Sequence, residues 1–197
     1  MLLNYTLLEF ESGIAENRSD LVHAVIAATF NGNKSEAHPL WRSEAERPGG
    51  ARVLLQWMED TPPNWDNALA MKNNHLIGIP CQFKQIEFAP PKGSRFFFRL
   101  RGNNTARVER RSKTAVIPCT EWLEKRAGMS GFEVIRLHIA NSEYSQYITK
   151  KNHRFRLSSV LFEGLLQVID PEKFEKAVAF GVGRGKAYGM GLLSLRR

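Results

Sequence analysis

Few folds accommodate the order of elements that the second half of the chain predicts. Hydrophobic periodicity and turn residues there indicate strand, helix, strand, strand, helix and strand. In chain order these segments are SRFFFRLRGN, PCTEWLEKRAG, FEVIRLHIA, FRLSSVLFEGLLQVID, PEKFEKAVAF and GMGLLSL. The first helix begins at a proline and ends at Gly128, and the second begins at Pro171. A βαββαβ order predicts one antiparallel sheet with both helices on a single face.

The first half predicts a weaker copy of the same order. A strand at LLNYTLLEFE precedes a helix for which Ser19 is the expected N-cap, with Asp20 in its first turn. The motif NGNK ends that helix. Its apolar stripe consists of Leu21, Val22, Val25, Ile26 and Phe30.

The rest of the first half alternates connections with strands. Residues 32–50 and the segment MEDTPPNWDN predict connections, whereas ARVLLQW and CQFKQIEF predict strands. We therefore expect an α+β protein with two tandem ferredoxin-like (RRM-like) βαββαβ domains. The expected domains are residues 1–90 and 91–197, joined near FAPPKGS at 88–94.

The charge of the chain favours a polyanionic partner. Lys and Arg outnumber Asp and Glu by 28 to 20, which gives a formal charge of +8. Nucleic acid is the first candidate partner and an acidic membrane surface the second. The apolar fraction of 43% is ordinary for a globular protein and argues against disorder. Because the sequence contains neither a membrane-length apolar run nor a signal sequence, we expect a cytoplasmic protein without a membrane partner.

Cysteine and histidine spacing gives no support for a metal or a cofactor. Cys81 and Cys119 lack CxxC spacing and are expected to be buried thiols. No pair among the five histidines has HxxxH or HxH spacing. The sequence therefore predicts no metal site, no disulfide framework and no cofactor.

A basic strand is the first candidate for RNA contact. Residues 92–113 contain eight Lys or Arg and a single acid, Glu109. Since strand side chains alternate between faces, the first face carries Arg95, Phe97, Arg99 and Arg101. Phe96, Phe98 and Leu100 share the opposite face, which is predicted to be core. Guanidinium groups can hold phosphates and an aromatic ring can stack on a base, although a solvated strand face remains the alternative.

A second basic cluster lies in the segment KKNHRFR. Its cations are Lys150, Lys151, Arg154 and Arg156, and His153 lies among them. A basic hairpin tip could enter an RNA groove or line a phosphate track. Taken alone, such a run is more typical of a solvated loop.

A glycine-rich segment follows the last predicted helix. It carries Gly181, Gly183, Gly185, Gly189 and Gly191, with Arg184 and Lys186 between them. The dinucleotide fingerprint fails because Lys186 replaces its third glycine, and the P-loop fails because Ala187 follows Lys186. Two interpretations remain open, a tight helix-to-strand connection with positive φ angles and a backbone that approaches RNA phosphates together with Arg184 and Lys186.

These residues also carry a family resemblance. FEGLLQV, a short helix and then GVGRGKAYGMGLLSL resemble the C-terminal signature of the CRISPR-associated endoribonucleases, in particular the CasE subunits of type I-E Cascade complexes. RVLLQ, FFFRLRGN and VIPCTEWLEKRAG are similar to blocks of that family in the same order. The resemblance covers nearly the whole chain and is weakest over residues 31–50.

The resemblance implies an activity and partners. Members of the family bind the hairpin of a CRISPR repeat and cut precursor crRNA at the 3′ side of the stem. The reaction needs no metal, because the ribose 2′-OH attacks the adjacent phosphate and leaves a 2′,3′-cyclic phosphate and a 5′-OH. The mature crRNA is then retained with the other Cascade subunits. The glycine-rich segment is expected beside the active site, packed between the two domains.

The resemblance places the catalytic histidine at His23. At 100° per residue, this position falls at the rim of the apolar stripe and can be half exposed. A histidine, whose ordinary pKa is about 6.5, can deprotonate the 2′-OH or protonate the 5′-oxygen. His38, His75 and His138 lack this position, and His153 is a reserve candidate.

One residue departs from the family pattern. Well-known relatives carry a tyrosine three residues before the histidine, and this chain has Asp20 there. Asp20 could orient the imidazole or serve only the helix start, in which case a cation must stabilise charge, with Lys151, Arg154 or Arg156 as candidates. Two other functions remain open, a hairpin-binding subunit that does not cut and an unrelated basic assembly protein.

Overall fold

The structure is a computed structural model of the whole chain. The residues it describes are 1–30, 37–44, 50–58, 62–78, 80, 82–108, 113–148 and 154–197. Within helices and strands, side chains are not described at 16, 17, 106–108, 113, 114, 141–148 and 154–156.

The chain forms two compact units, each composed of more than one stretch of sequence. As far as the described residues go, the first unit comprises Met1–Phe88, Gln146–Phe155 and Lys186–Gly189. The second comprises Ala89–Ser145, Arg156–Gly185 and Met190–Arg197. A short segment near the end of the chain therefore belongs to the unit that begins it.

The first unit is a four-stranded antiparallel sheet with helices between its strands. In chain order its elements are β1 (Leu2–Phe10), α1 (Ile14–Asn17), α2 (Ser19–Thr29), β2 (Leu40–Ser43), β3 (Ala51–Met58), α3 (Trp65–Leu69) and β4 (Phe83–Glu87). The strand order is β2-β3-β1-β4, and every neighbouring pair is antiparallel. Strands β1 and β3 are therefore central, and β2 and β4 lie at the two edges of the sheet.

The core of the first unit fixes the orientation of α2. Leu8 of β1 and Val53 of β3 are fully buried in the same hydrophobic cluster as Val22, Val25 and Ile26 of the helix. Burial of each such side chain contributes about 1.5–3 kcal/mol. Because this stripe faces the sheet, residues at its rim lie near the surface.

The second unit repeats the same architecture with one addition. Its elements are β5 (Arg95–Gly102), β6 (Thr105–Val108), β7 (Lys113–Val116), α4 (Cys119–Met129), β8 (Phe132–Ile148), β9 (Arg154–Val168), α5 (Pro171–Phe180), a 3-10 turn (Lys186–Tyr188) and β10 (Leu193–Arg196). The main sheet has the order β10-β5-β9-β8, and β6 and β7 form a separate antiparallel pair. The 3-10 turn belongs to the first unit, although it is numbered with these elements.

Aromatic packing holds the core of the second unit. The indole of Trp122 in α4 stacks on Phe162 of β9 with ring centroids 5.6 Å apart. Phe132 and Phe174 meet edge to face at 5.8 Å. Offset-stacked and edge-to-face arrangements are the favourable ones for aromatic rings.

Both units have the ferredoxin-like βαββαβ topology. The first and third strands of each unit are central and the second and fourth are at the edges. The α+β fold class predicted from the sequence is therefore confirmed.

The structure corrects several local predictions. Ser19 is the first residue of α2 rather than its N-cap, which is Arg18. Residues 32–50 were expected to form a connection, yet they contain β2, because this strand pairs with β3 at the edge of the sheet. MEDTPPNWDN contains the start of α3, which the side chain of Asn64 caps by accepting a hydrogen bond from the Asp66 N–H at 3.0 Å.

Corrections in the second unit are smaller. The helix predicted to end at Gly128 continues to Met129, and β10 begins at Leu193 rather than within the glycine-rich segment. Cys119 is half-buried at the start of α4 instead of fully buried, and Cys81 lies outside the described residues. In the part of the chain that the structure describes, no helix is long and apolar enough to cross a membrane.

Candidate active site and RNA interface

Helix α2 presents His23 at the edge of the first unit's core. Val22 and Val25 on the helix are fully buried, whereas His23 is half-buried. The His23 side chain is therefore partly accessible to solvent. This is the degree of burial that the rim position in the apolar stripe predicts.

A bidentate ion pair lies at the start of the same helix. Arg18 donates from Nε to Asp20 Oδ1 at 3.1 Å and from Nη2 to Asp20 Oδ2 at 3.2 Å. The hydrogen bond from Arg18 to Asp20 raises the pKa of the Arg18 guanidinium further above its already high value. Sequence reasoning missed Arg18, although opposite charges two residues apart at a helix start were a readable signal.

The glycine-rich segment has the backbone that only glycine adopts readily. All five of its glycines have φ between 76° and 88°. At Gly189 an added Cβ would lie 2.7 Å from the ring of Trp41, so packing as well as conformation requires glycine there. The positive φ angles expected of a tight helix-to-strand connection are confirmed.

The same segment lies against the helix that carries His23. The 3-10 turn Lys186–Tyr188 packs on α2 within the first unit. Loss of hydration on partial burial lowers the pKa of the Lys186 ammonium from its usual value. The structure thus brings one of the predicted RNA-binding cations to the helix of the predicted catalytic histidine, while Arg184, which is exposed, belongs to the second unit.

The basic face of β5 is placed as predicted, but its cations have partners on the neighbouring strand β9. Arg95 Nε donates to Gln167 Oε1 at 2.9 Å, and Arg101 Nη1 donates to Ser159 Oγ at 3.2 Å. Arg99 forms an ion pair with Glu163, the residue directly opposite it in the sheet. An acid from a distant part of the sequence therefore reduces the positive charge of this face.

The aromatic ring on this face also has a cationic neighbour. Phe97 is 54% exposed, and the guanidinium of Arg196 in β10 lies 5.7 Å from its ring centroid. A cation over an aromatic ring is a favourable contact. The RNA-binding role of Arg95, Phe97, Arg99 and Arg101 remains a prediction.

The second basic cluster falls largely outside the description. Lys150, Lys151 and His153 lie outside the described residues. Arg154 and Arg156 lie in β9, but their side chains are not described. Their roles in RNA binding and in catalytic support remain predictions.

The other described histidines differ from His23 in setting. His75 Nδ1 lies 2.8 Å from Glu11 Oε2, His38 has a φ of 42°, and His138 is exposed on β8. Among the described residues, no three His, Cys, Asp or Glu side chains gather where they could hold a metal ion.

Comparisons with known proteins agree on one group. A protein-family model described as "CRISPR associated protein" matches residues 11–197. The CRISPR-associated endoribonuclease Cse3 of Thermus thermophilus is 33% identical over 174 residues, with 79% of this chain and 78% of the relative covered. The CRISPR system Cascade subunit CasE of Escherichia coli K12 is 29% identical over 196 residues, with 89% and 98% covered.

A solved structure shares the fold over its full length. The CRISPR endoribonuclease Cse3 bound to a 19 nt RNA superposes with a TM-score of 0.82 at 26% identity, covering 100% of both chains. The two-unit architecture is therefore that of a protein that has been seen with RNA.

Proposed function

Because this chain belongs to the CRISPR-associated protein family, we propose that it is a metal-independent endoribonuclease that processes precursor crRNA in the cytoplasm. It binds the hairpin of the CRISPR repeat, cuts at the 3′ side of the stem and retains the mature crRNA with other Cascade subunits. The observation that carries this proposal is the placement of a half-buried His23 on a helix against which the turn bearing Lys186 packs. The relatives named as an endoribonuclease and as a Cascade subunit support it.

The proposed reaction is a transesterification within the RNA. The 2′-OH loses its proton as its oxygen bonds to phosphorus, and the bond from phosphorus to the 5′-oxygen breaks as that oxygen gains a proton. His23 serves as the base in the first transfer or as the acid in the second. The negative charge that builds on the phosphate oxygens needs a cation.

Lys186 joins the cations that RNA binding can use. Its turn contacts α2, and the lowered pKa reflects an ammonium that has lost part of its hydration. A phosphate oxygen would replace that hydration. Lys150, Lys151, Arg154, Arg156 and Arg184 remain proposed contacts to the hairpin.

A second candidate function is a subunit that holds the hairpin without cutting it. The observation that favours it is Asp20, which stands in this chain where the resemblance implies a tyrosine. Both functions require hairpin preference over unstructured RNA, so only a cleavage assay separates them.

The decisive assay is cleavage of the host's CRISPR repeat RNA in EDTA. We expect the wild type to yield a 2′,3′-cyclic phosphate, and expect no product from His23→Ala or from RNA with a single 2′-deoxy at the scissile nucleotide. His75→Asn is the matched control, since Asn tolerates the positive φ of 57° there. Tight hairpin binding by the wild type without any cutting would establish the second function instead.

A further inference from the structure

The start of α2 holds an arginine in a fixed place, on the helix that carries the proposed catalytic residue. Arg18 is the N-cap of α2, with a φ of −130°, and no side chain caps the helix. Its guanidinium is instead held by Asp20, which accepts two hydrogen bonds with both carboxylate oxygens. A bidentate contact fixes the plane of the guanidinium as well as its position.

The two side chains of this ion pair differ in their exposure to solvent. The Arg18 side chain is 43% exposed, whereas that of Asp20 is 13% exposed. Of the five N–H groups of a guanidinium, Asp20 accepts two, and the planar geometry directs the others away from the carboxylate. The outward surface of the pair therefore offers hydrogen-bond donors to an anion.

The geometry of a helix brings His23 towards the same place. Side chains on a helix lean towards its N-terminus, over the residues three and four positions earlier, which for His23 are Asp20 and Ser19. Along the axis, three residues rise only about 4.5 Å. Helix geometry therefore places His23 and the Arg18–Asp20 pair at the same end of α2.

Two further features of this helix end favour an anion. The first-turn N–H groups give the N-terminus of α2 a partial positive charge. Ser19 is 2% exposed, and its Oγ has no hydrogen-bond partner among the described residues. A buried hydroxyl without a partner is costly, so Ser19 Oγ is an unused hydrogen-bonding group at this helix end.

We infer that Arg18 is the cation that binds the scissile phosphate, and that Asp20 is a positioning residue that holds Arg18. The inference rests on the proposed function. Arg18 stabilises the charge on the phosphate oxygens while the bond to the 2′-oxygen forms and the bond to the 5′-oxygen breaks. It stays protonated throughout, because a guanidinium keeps its proton at neutral pH, and proton transfer is left to other groups.

The arrangement also bears on the roles open to Asp20. A carboxylate that orients an imidazole must accept a hydrogen bond from the ring, as in the Ser-His-Asp triad. Both oxygens of Asp20 are already directed to Arg18. The partner that the structure gives to this carboxylate is therefore the Arg18 guanidinium.

The first test measures single-turnover cleavage of the repeat RNA by Arg18→Gln, Arg18→Lys and Asp20→Asn. We expect Arg18→Gln to slow cleavage about 10²-fold, as removal of one transition-state donor does. Arg18→Lys keeps the charge but loses the bidentate contact, so it should recover only part of the rate. Asp20→Asn should slow cleavage about tenfold through a misplaced guanidinium. Arg52→Gln, which breaks the Arg52–Glu9 ion pair on the sheet, is the matched control and should cleave like the wild type.

The second test asks whether Asp20 acts through Arg18. We expect Asp20→Asn to cost nothing further in an Arg18→Gln background and to leave the pH dependence of cleavage unchanged. An equal cost in both backgrounds, or a shifted pH profile, would overturn the positioning role. Thermal unfolding of each variant separates these effects from loss of fold.

The third test probes the phosphate contact itself. Sulfur in place of one nonbridging oxygen at the scissile phosphate should slow the wild type more for one diastereomer, and Arg18→Gln should abolish that difference. If the wild type cuts normally and Arg18→Gln cuts equally fast with the same diastereomer preference, Arg18 has no catalytic role and the proposed function stands. If the wild type does not cut at all, the proposed function itself fails and this inference fails with it.

Discussion

Helix α2 of the first unit and helix α4 of the second occupy the same topological position, between the first and second strands of the main sheet, but differ in the side chains that they present. His23 is the fifth residue of α2 and is half-buried, whereas Leu123 is the fifth residue of α4 and is 1% exposed. The helix starts differ too, since an Arg18–Asp20 ion pair precedes His23 while Pro118 precedes α4. The same position on the fold therefore holds a core residue in the second unit and a candidate catalytic residue in the first. Function depends on the residues placed on a fold and not on the fold alone.

The largest expected effect is the loss of cleavage on substitution of His23 in α2. His23→Ala should lower the single-turnover rate by about 10²- to 10⁴-fold, as removal of a general acid or base does. Its unfolding temperature should stay close to that of the wild type because the side chain is only half-buried. A large fall in unfolding temperature together with the rate would mean that His23 packs as Leu123 does, and the comparison would fail.

Substitution of Leu123 in α4 is expected to lower stability and to leave cleavage by the folded protein unchanged. Leu123→Ala should destabilise the protein by about 2–5 kcal/mol, since it leaves a cavity beneath a helix. Urea unfolding measures this loss, and Leu137→Ala, at a 36% exposed position on β8, is the control with a small expected effect. Residual cleavage by folded Leu123→Ala near the wild-type rate would confirm that the effect lies in stability.

Two glycines are expected to respond in opposite directions to substitution by alanine. Gly189→Ala should destabilise the protein by about 1–3 kcal/mol, because φ is 76° and the new Cβ would lie 2.7 Å from Trp41. Gly128→Ala, inside α4 with open space around it, should instead stabilise the protein by roughly 0.5–1 kcal/mol. Thermal unfolding of the two variants tests this expectation. A shift of the unfolding temperature in the same direction for both would contradict the structural account.

The smallest effect is expected on the basic face of the second sheet. Glu163→Gln removes the acid opposite Arg99, so RNA binding should tighten modestly and its salt slope should steepen by about 0.7 to 0.9. Glu172→Gln, in an i,i+4 pair with Lys176 on α5, is the matched control. Identical affinities and slopes for the two variants across a salt titration would make this face a solvated surface, which is the alternative that the sequence left open.

The fold was predictable because its signals are local and repeated. Alternation over Phe96, Phe98 and Leu100 identified a core-facing strand, and Pro171 marked a helix start. The four residues of β2 gave no comparable signal, since pairing with β3 and not local propensity makes them a strand. α3 was missed because its five residues lie among proline and turn-forming residues.

The site was predictable only in part. The rim position of His23 follows from helical periodicity, so its half-burial could be read from the sequence. The Arg99–Glu163 ion pair joins residues far apart in the chain and depends on strand register, which sequence patterns do not give. The contact of the 3-10 turn with α2 also joins segments far apart in the chain, so it could not be predicted from local sequence patterns.

That contact also has a consequence for timing during synthesis. The first unit receives Lys186–Gly189 from a part of the chain that is translated long after β4. While domains generally fold from the N-terminus as they emerge, α2 must wait for a late segment before its packing is complete. A nascent chain on the ribosome would therefore display α2 without the turn that packs on it until the polypeptide is nearly finished.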